Sequence, residues 1–175
     1  MRKRYKYLVL LLLALLFACG EKPKEPQQPA SKGDMKSSME KANRYLMSEE
    51  EEDIANYIAR HGLDMTVTGT GLRYQILSQG SEQSIEKGEQ VTLEYELHSI
   101  AGDLIYSSAN DGVKTFVVGE GTVESGLDEA MNYLHRGDVA KLIIPFHLGY
   151  GLHGDDNAIP EYATLVYTIK ILDNQ

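Results

Sequence analysis

Residues 141–172 read KLIIPFHLGYGLHGDDNAIPEYATLVYTIKIL, two strands with a long loop between them. The first strand is the short apolar run 141–145. Across 164–172 the side chains alternate, with Leu165, Tyr167, Ile169 and Ile171 on one face and Thr164, Val166, Thr168 and Lys170 on the other. That period of two marks a half-buried strand. The loop holds Gly149-Tyr150-Gly151, then Gly154-Asp155-Asp156-Asn157, then Ile159-Pro160. A tyrosine between two glycines can be aimed by backbone conformations that other residues resist. A loop of this length without structure of its own is uncommon unless it is functional. A solvated hairpin loop would account for its polar residues but not for Tyr150 and Ile159, two apolar bodies that suit the wall of a pocket.

Outward from this stretch, more strands follow the same rule. Val91, Leu93, Tyr95 and Leu97 share one face, Leu72, Tyr74 and Ile76 another, and Met65 and Val67 alternate with threonine. Ala101-Gly102-Asp103 is a turn into a strand over 104–108, and Phe116-Val117-Val118-Gly119 ends a further strand. Residues 126–134 read as a single helix with Leu127, Ala130, Met131 and Leu134 on one side. One helix and several antiparallel strands predict an α+β fold, an antiparallel sheet wrapped around the helix.

The order Tyr150-Gly151, Ile159-Pro160, Ala163-Thr164-Leu165-Val166-Tyr167 resembles the C-terminal half of the FKBP-type peptidyl-prolyl isomerases, and the resemblance extends back to about Leu72. It implies an isomerase domain over 63–175 acting on proline-containing polypeptides. It also implies a proline pocket lined by Tyr95, Phe116, Val123, Tyr150, Ile159 and Tyr167. The backbone N–H of Glu124 and the hydroxyl of Tyr150 fall where the family donates hydrogen bonds to substrate. This chain departs from the pattern at the pocket edge, with Ile105-Tyr106 for Phe-Asp, and on the floor, with Leu127 for Trp. Lys114 and Ala158 replace apolar wall residues. Tyr106 in place of a carboxylate is expected to supply a further hydroxyl donor. Tyr95 and Tyr167 would be buried in any version of the fold; Tyr150, Ile159 and the 123–124 segment are harder to explain as packing.

Such a reaction requires no nucleophile, metal or cofactor. The barrier is the partial double bond of the amide, ~18–20 kcal/mol, and a dry cage with well-placed donors lowers it. None of the five histidines has ligand spacing to another His, Cys or carboxylate cluster. Gly119-Glu120-Gly121 lacks the third glycine of a dinucleotide fingerprint. A formal net charge of −9 and a sequence pI near 5.0 argue against nucleic acid, whose phosphates need a basic face.

The first 33 residues read as export machinery. Arg2, Lys3, Arg4 and Lys6 precede an apolar run over 8–18, the pattern of a secretory signal over 1–18 and too short for a permanent span. Leu16-Phe17-Ala18-Cys19 resembles a bacterial lipobox, which makes Cys19, the one cysteine of the chain, the expected lipid anchor to a membrane. Residues 19–33, with Pro23, Pro26 and Pro29, form an extended tether with a reach of roughly 40 Å.

Residues 34–62 predict two helices. Met35, Met39, Ala42 and Leu46 recur at helical spacing, and Ser48 with Glu51 makes a capping box for a second helix with Ile54, Tyr57 and Ile58 as its stripe. Gly62 is the expected C-cap. Such helices either form a homodimer or hold clients, as in some periplasmic relatives, or pack on their own domain. The order of signal, tether, helices and domain is similar to that of gliding-motility-associated isomerase lipoproteins of Bacteroidetes. With the lipobox, it predicts a lipid-anchored protein of the outer membrane, facing the periplasm or alternatively the cell surface.

Overall fold

The computed structural model describes residues 32–172; the expected signal, Cys19 and most of the tether lie outside them. By its internal contacts the chain divides between Lys41 and Ala42, and the sheet and its core clusters belong to the part from Ala42 onward. Seven strands make one antiparallel sheet: β1 (Thr66–Val67), β2 (Arg73–Ser78), β3 (Gln90–Ser99), β4 (Leu104–Ser107), β5 (Lys114–Val117), β6 (Val139–Ile144) and β7 (Leu165–Ile171). The order across it is β1-β2-β6-β7-β3-β4, and β5 also pairs with β3. Both strands of the opening stretch are therefore central. Tyr167 of β7 sits opposite Leu142 of β6 on one side and Leu97 of β3 on the other.

The sheet buries its front face, and its back face only where a helix lies, while Glu94, Glu96 and Lys170 of the back stay exposed. On the front, Leu93, Tyr95, Leu97, Leu142, Tyr167 and Ile169 pack with Leu127, Ala130 and Met131 in the main core. Leu127 and Ala130 come from the short helix Ser125–Ala130. That helix stops earlier than the expected 126–134. Its end tightens into turns in which Asn132 N–H donates to Glu129 O and Tyr133 N–H to Ala130 O. Leu134 still reaches the core. Gly126 permits the close approach of the helix to the sheet, because a Cβ there would stand 2.5 Å from Ile144 Cγ2.

On the back, Ile143 and Val166 face each other across β6 and β7 and form a second cluster with Ile54 and Tyr57. Val166 alternates with polar neighbours, yet it is only 1% exposed, because a helix covers it. That helix corrects the expectation of a pair: Lys32–His61 is one continuous helix of 30 residues. No Gly or Pro interrupts 34–61, and an interior serine costs a helix only tenths of a kcal/mol. Ser48 is therefore inside the helix and no capping box forms. The C-terminus does end at Gly62, which takes φ +60° while Leu63 N–H donates to Ile58 O at 3.1 Å, the closure that a left-handed residue permits.

Candidate functional site

The residues expected to line the pocket belong to one cluster. Tyr95, Phe116, Leu127, Ile159 and Tyr167 are buried in the front core, and Ile105, Tyr106, Val123 and Tyr150 pack against it partly exposed. They come from β3, β4, β5, β7, the 123–127 turn into the short helix, and the loop between β6 and β7. The loop reaches the core because its middle is tied down. Asp155 Oδ1 accepts from the backbone N–H of Asn157 at 3.0 Å and of Ile159 at 2.7 Å, which turns the chain so that Ile159 points inward.

Tyr106 stands on this edge, and its hydroxyl is already engaged: it donates to Asp155 Oδ2 and accepts from Asn157 Nδ2 at 2.8 Å. The expectation of a free donor is corrected accordingly. Donation to Asp155 pushes the Tyr106 hydroxyl up. Burial pushes the Asp155 carboxyl up, but the Tyr106 hydroxyl and the two backbone N–H groups outweigh it and hold it below its ordinary value. Tyr106 is thus a strut between β4 and the loop.

Glu124 carries more than a backbone donor. It stands at the N-terminus of the short helix in extended geometry (φ −55°, ψ 135°). Its side chain is 3% exposed and lies 3.2 Å from Lys114 Nζ. The Tyr167 hydroxyl donates to the same carboxylate at 2.7 Å, and the Tyr150 hydroxyl is directed at it too. Burial pushes Glu124 up, but Lys114, Tyr150, Tyr167 and its own backbone N–H together hold it below the ordinary carboxylate value. Burial, then the Glu124 carboxylate, pushes the hydroxyls of Tyr150 and Tyr167 up, so both stay protonated donors. Lys114 Nζ also lies 5.5 Å from the Tyr95 ring centroid and 5.7 Å from that of Tyr167, within cation–π range.

This charged centre was not read from the sequence. Its one signal was a pair of opposite charges, Lys114 and Glu124, ten residues apart and both in the pocket-lining set. A buried acid without a base would be costly, whereas a buried pair with two hydroxyl donors is tolerable. Among the described residues no group of three or more His, Cys, Asp or Glu side chains is placed to hold a metal ion. The arrangement is a cluster of aromatic and aliphatic side chains with two hydroxyl donors drawn to one buried carboxylate.

Comparison with known proteins places the sheet and helix in a family. Residues 81–172 match the family model described as FKBP-type peptidyl-prolyl cis-trans isomerase. A probable FKBP-type peptidyl-prolyl cis-trans isomerase, FkpA, of Neisseria meningitidis is 32% identical over 142 residues, 81% of this chain and 48% of that one. An FK506-binding protein of the same organism is 33% identical over 103 residues, 58% of this chain and 94% of its own. The chain therefore spans about half of the first relative and nearly all of the second. The crystal structure of AtFKBP13 superposes with a TM-score of 0.61 at 25% identity, covering 65% of this chain and all of that one. The sheet and its packed helix are an FKBP-like fold.

Proposed function

We propose a reaction for a chain that belongs to the FKBP-type peptidyl-prolyl cis-trans isomerase family: rotation about X-Pro amide bonds of exported polypeptides, to assist their folding in the cell envelope. The observation that carries it is the convergence of Tyr150 with Tyr95, Phe116, Leu127, Ile159 and Tyr167 at one face of the sheet. The planar amide is more polar than the twisted one. An apolar cage therefore disfavours the ground state, while a hydroxyl held protonated can donate to the carbonyl as resonance is lost. A proline-isomerisation assay on a short X-Pro peptide tests this. Acceleration over the uncatalysed rate is expected, and its absence would overturn the reading.

A second reading, a binding module with little turnover, is favoured by one observation. The Lys114–Glu124 pair places charge where a proline ring needs apolar contact, and it engages the Tyr150 hydroxyl. Suppression of client aggregation without acceleration would select it.

The same proposal includes export and anchoring. The 1–18 signal and lipidated Cys19 would hold the domain on the periplasmic face of the outer membrane, with 20–33 as tether. The likeness in element order to gliding-motility-associated lipoproteins of Bacteroidetes supports this placement. A homodimer through 34–62 is supported by Met35 and Met39, 54% and 61% exposed. Light scattering of the domain with and without those residues tests it, and an unchanged monomer mass would overturn it.

A further inference from the structure

Glu50 lies on the long helix behind the sheet, yet its carboxylate holds both ends of the loop that serves the pocket. One oxygen, Oε1, accepts from the backbone N–H of Phe146 at 2.7 Å, where the chain leaves β6. The same oxygen accepts from Thr164 Oγ1 at 2.6 Å, one residue before β7 begins. Between these two residues the loop carries Tyr150, Asp155 and Ile159. Hydrogen bonds to a carboxylate are stronger than those between neutral groups, and Thr164 is buried, where an unmade bond is expensive.

The rest of the loop base closes beside these two bonds. Gly151 N–H donates to Phe146 O at 2.8 Å and Tyr162 N–H to Gly151 O at 3.0 Å, and the Phe146 and Tyr162 rings meet edge to face at 5.6 Å. Tyr162 holds φ +58°, a left-handed conformation that costs a bulky residue about 1–3 kcal/mol and persists only where its surroundings impose it. The helix is itself fixed to the sheet by Ile54 and Tyr57 and by the Glu51–Arg73 ion pair.

We propose that Glu50 is a positioning residue for the isomerase site. By holding Phe146 and Thr164 together it sets where the loop delivers the Tyr150 hydroxyl and Ile159. The long helix is then part of the isomerase and not only a spacer or an assembly element. A misplacement of about 1 Å near a reacting group costs up to a hundredfold in rate. The inference rests on the isomerase reading.

Glu51 provides the control, because it anchors the same helix one residue away without touching the loop. In the full-length protein, Glu50→Ala should lower kcat about tenfold, Glu50→Gln, which keeps a carbonyl acceptor, should restore most of it, and Glu51→Ala should leave kcat within about twofold. Equal losses in Glu50→Ala and Glu51→Ala, or no loss in Glu50→Ala, would overturn the proposal. Hydrogen exchange reads loop placement without turnover. The Gly151 and Ile159 amides should exchange about tenfold faster in Glu50→Ala than in Glu51→Ala, and equal rates would overturn it. If wild type shows no turnover, the isomerase reading fails, while the exchange comparison still decides whether Glu50 holds the loop.

Discussion

Lys114 Nζ stands 3.2 Å from the Glu124 carboxylate, with side chains 22% and 3% exposed, beside a cluster of aromatic and aliphatic side chains. The pair bears on the stability of this cluster. Its acid depends on its base: without Lys114 the carboxylate would remain buried with only hydroxyl and amide donors.

Lys114→Met should destabilise the protein by about 3–5 kcal/mol at neutral pH, the cost of leaving one buried charge unpaired. In wild type the Glu124 carboxyl lies below its ordinary value of 4.5, so its contribution is present above that pH and lost as pH falls through the lower folded value. In the variant the Lys114 attraction, the largest influence opposing burial, is gone, and burial raises the carboxyl. Stability of the variant should then fall as pH rises above 4.5. Thermal unfolding from pH 4 to 8 should show the gap between the two proteins widening with pH, and a constant gap would contradict it.

Tyr150→Phe removes a donor held protonated at the pocket. Loss of one preorganised donor costs up to 10²–10³ in rate elsewhere. Because this hydroxyl is shared with Glu124, roughly a tenfold fall in kcat/KM is expected. The peptide isomerisation assay measures it, with Tyr150→Leu as a check that the ring itself is not the cause.

Leu127→Trp enlarges the apolar floor. A macrolide inhibitor of the family should bind several-fold tighter, since apolar area is worth about 25 cal/mol per Å². Leu127 is fully buried beside Gly126, so the larger ring should also lower stability by about 1–3 kcal/mol. Titration calorimetry and urea unfolding report the two effects separately.

Cys19→Ser should release the protein from membranes, because the proposed anchor is a lipid on Cys19. Among the described residues no helix is long and apolar enough to cross a membrane. Fractionation of cells expressing the variant measures this; continued pelleting with membranes after normal processing would refute lipid anchoring.

Strand periodicity made the sheet legible, because a half-buried strand must repeat every two residues whatever else surrounds it. Leu165, Tyr167, Ile169 and Ile171 face the core for that reason, and all four are buried. Motif order likewise indicated which segments pack together: Tyr95, Phe116, Tyr150, Ile159 and Tyr167 share one cluster. Local pattern could not tell whether Ser48 begins a helix or lies inside one, since a capping box and an interior Ser-Glu sequence are spelled alike. It also could not show that Val166 is buried, because the helix covering it is more than a hundred residues away in sequence.

What the sequence determined by itself was everything set by neighbours along the chain: the strands, the turn at Gly62 and the family likeness. Only tertiary structure decided where the charges went. It joined Lys114 to Glu124, turned the Tyr106 hydroxyl toward Asp155, and carried Glu50 across to Phe146 and Thr164. A charged side chain has no preferred partner until folding brings one within a few ångströms in a medium that screens poorly, and that distance is a property of the whole fold.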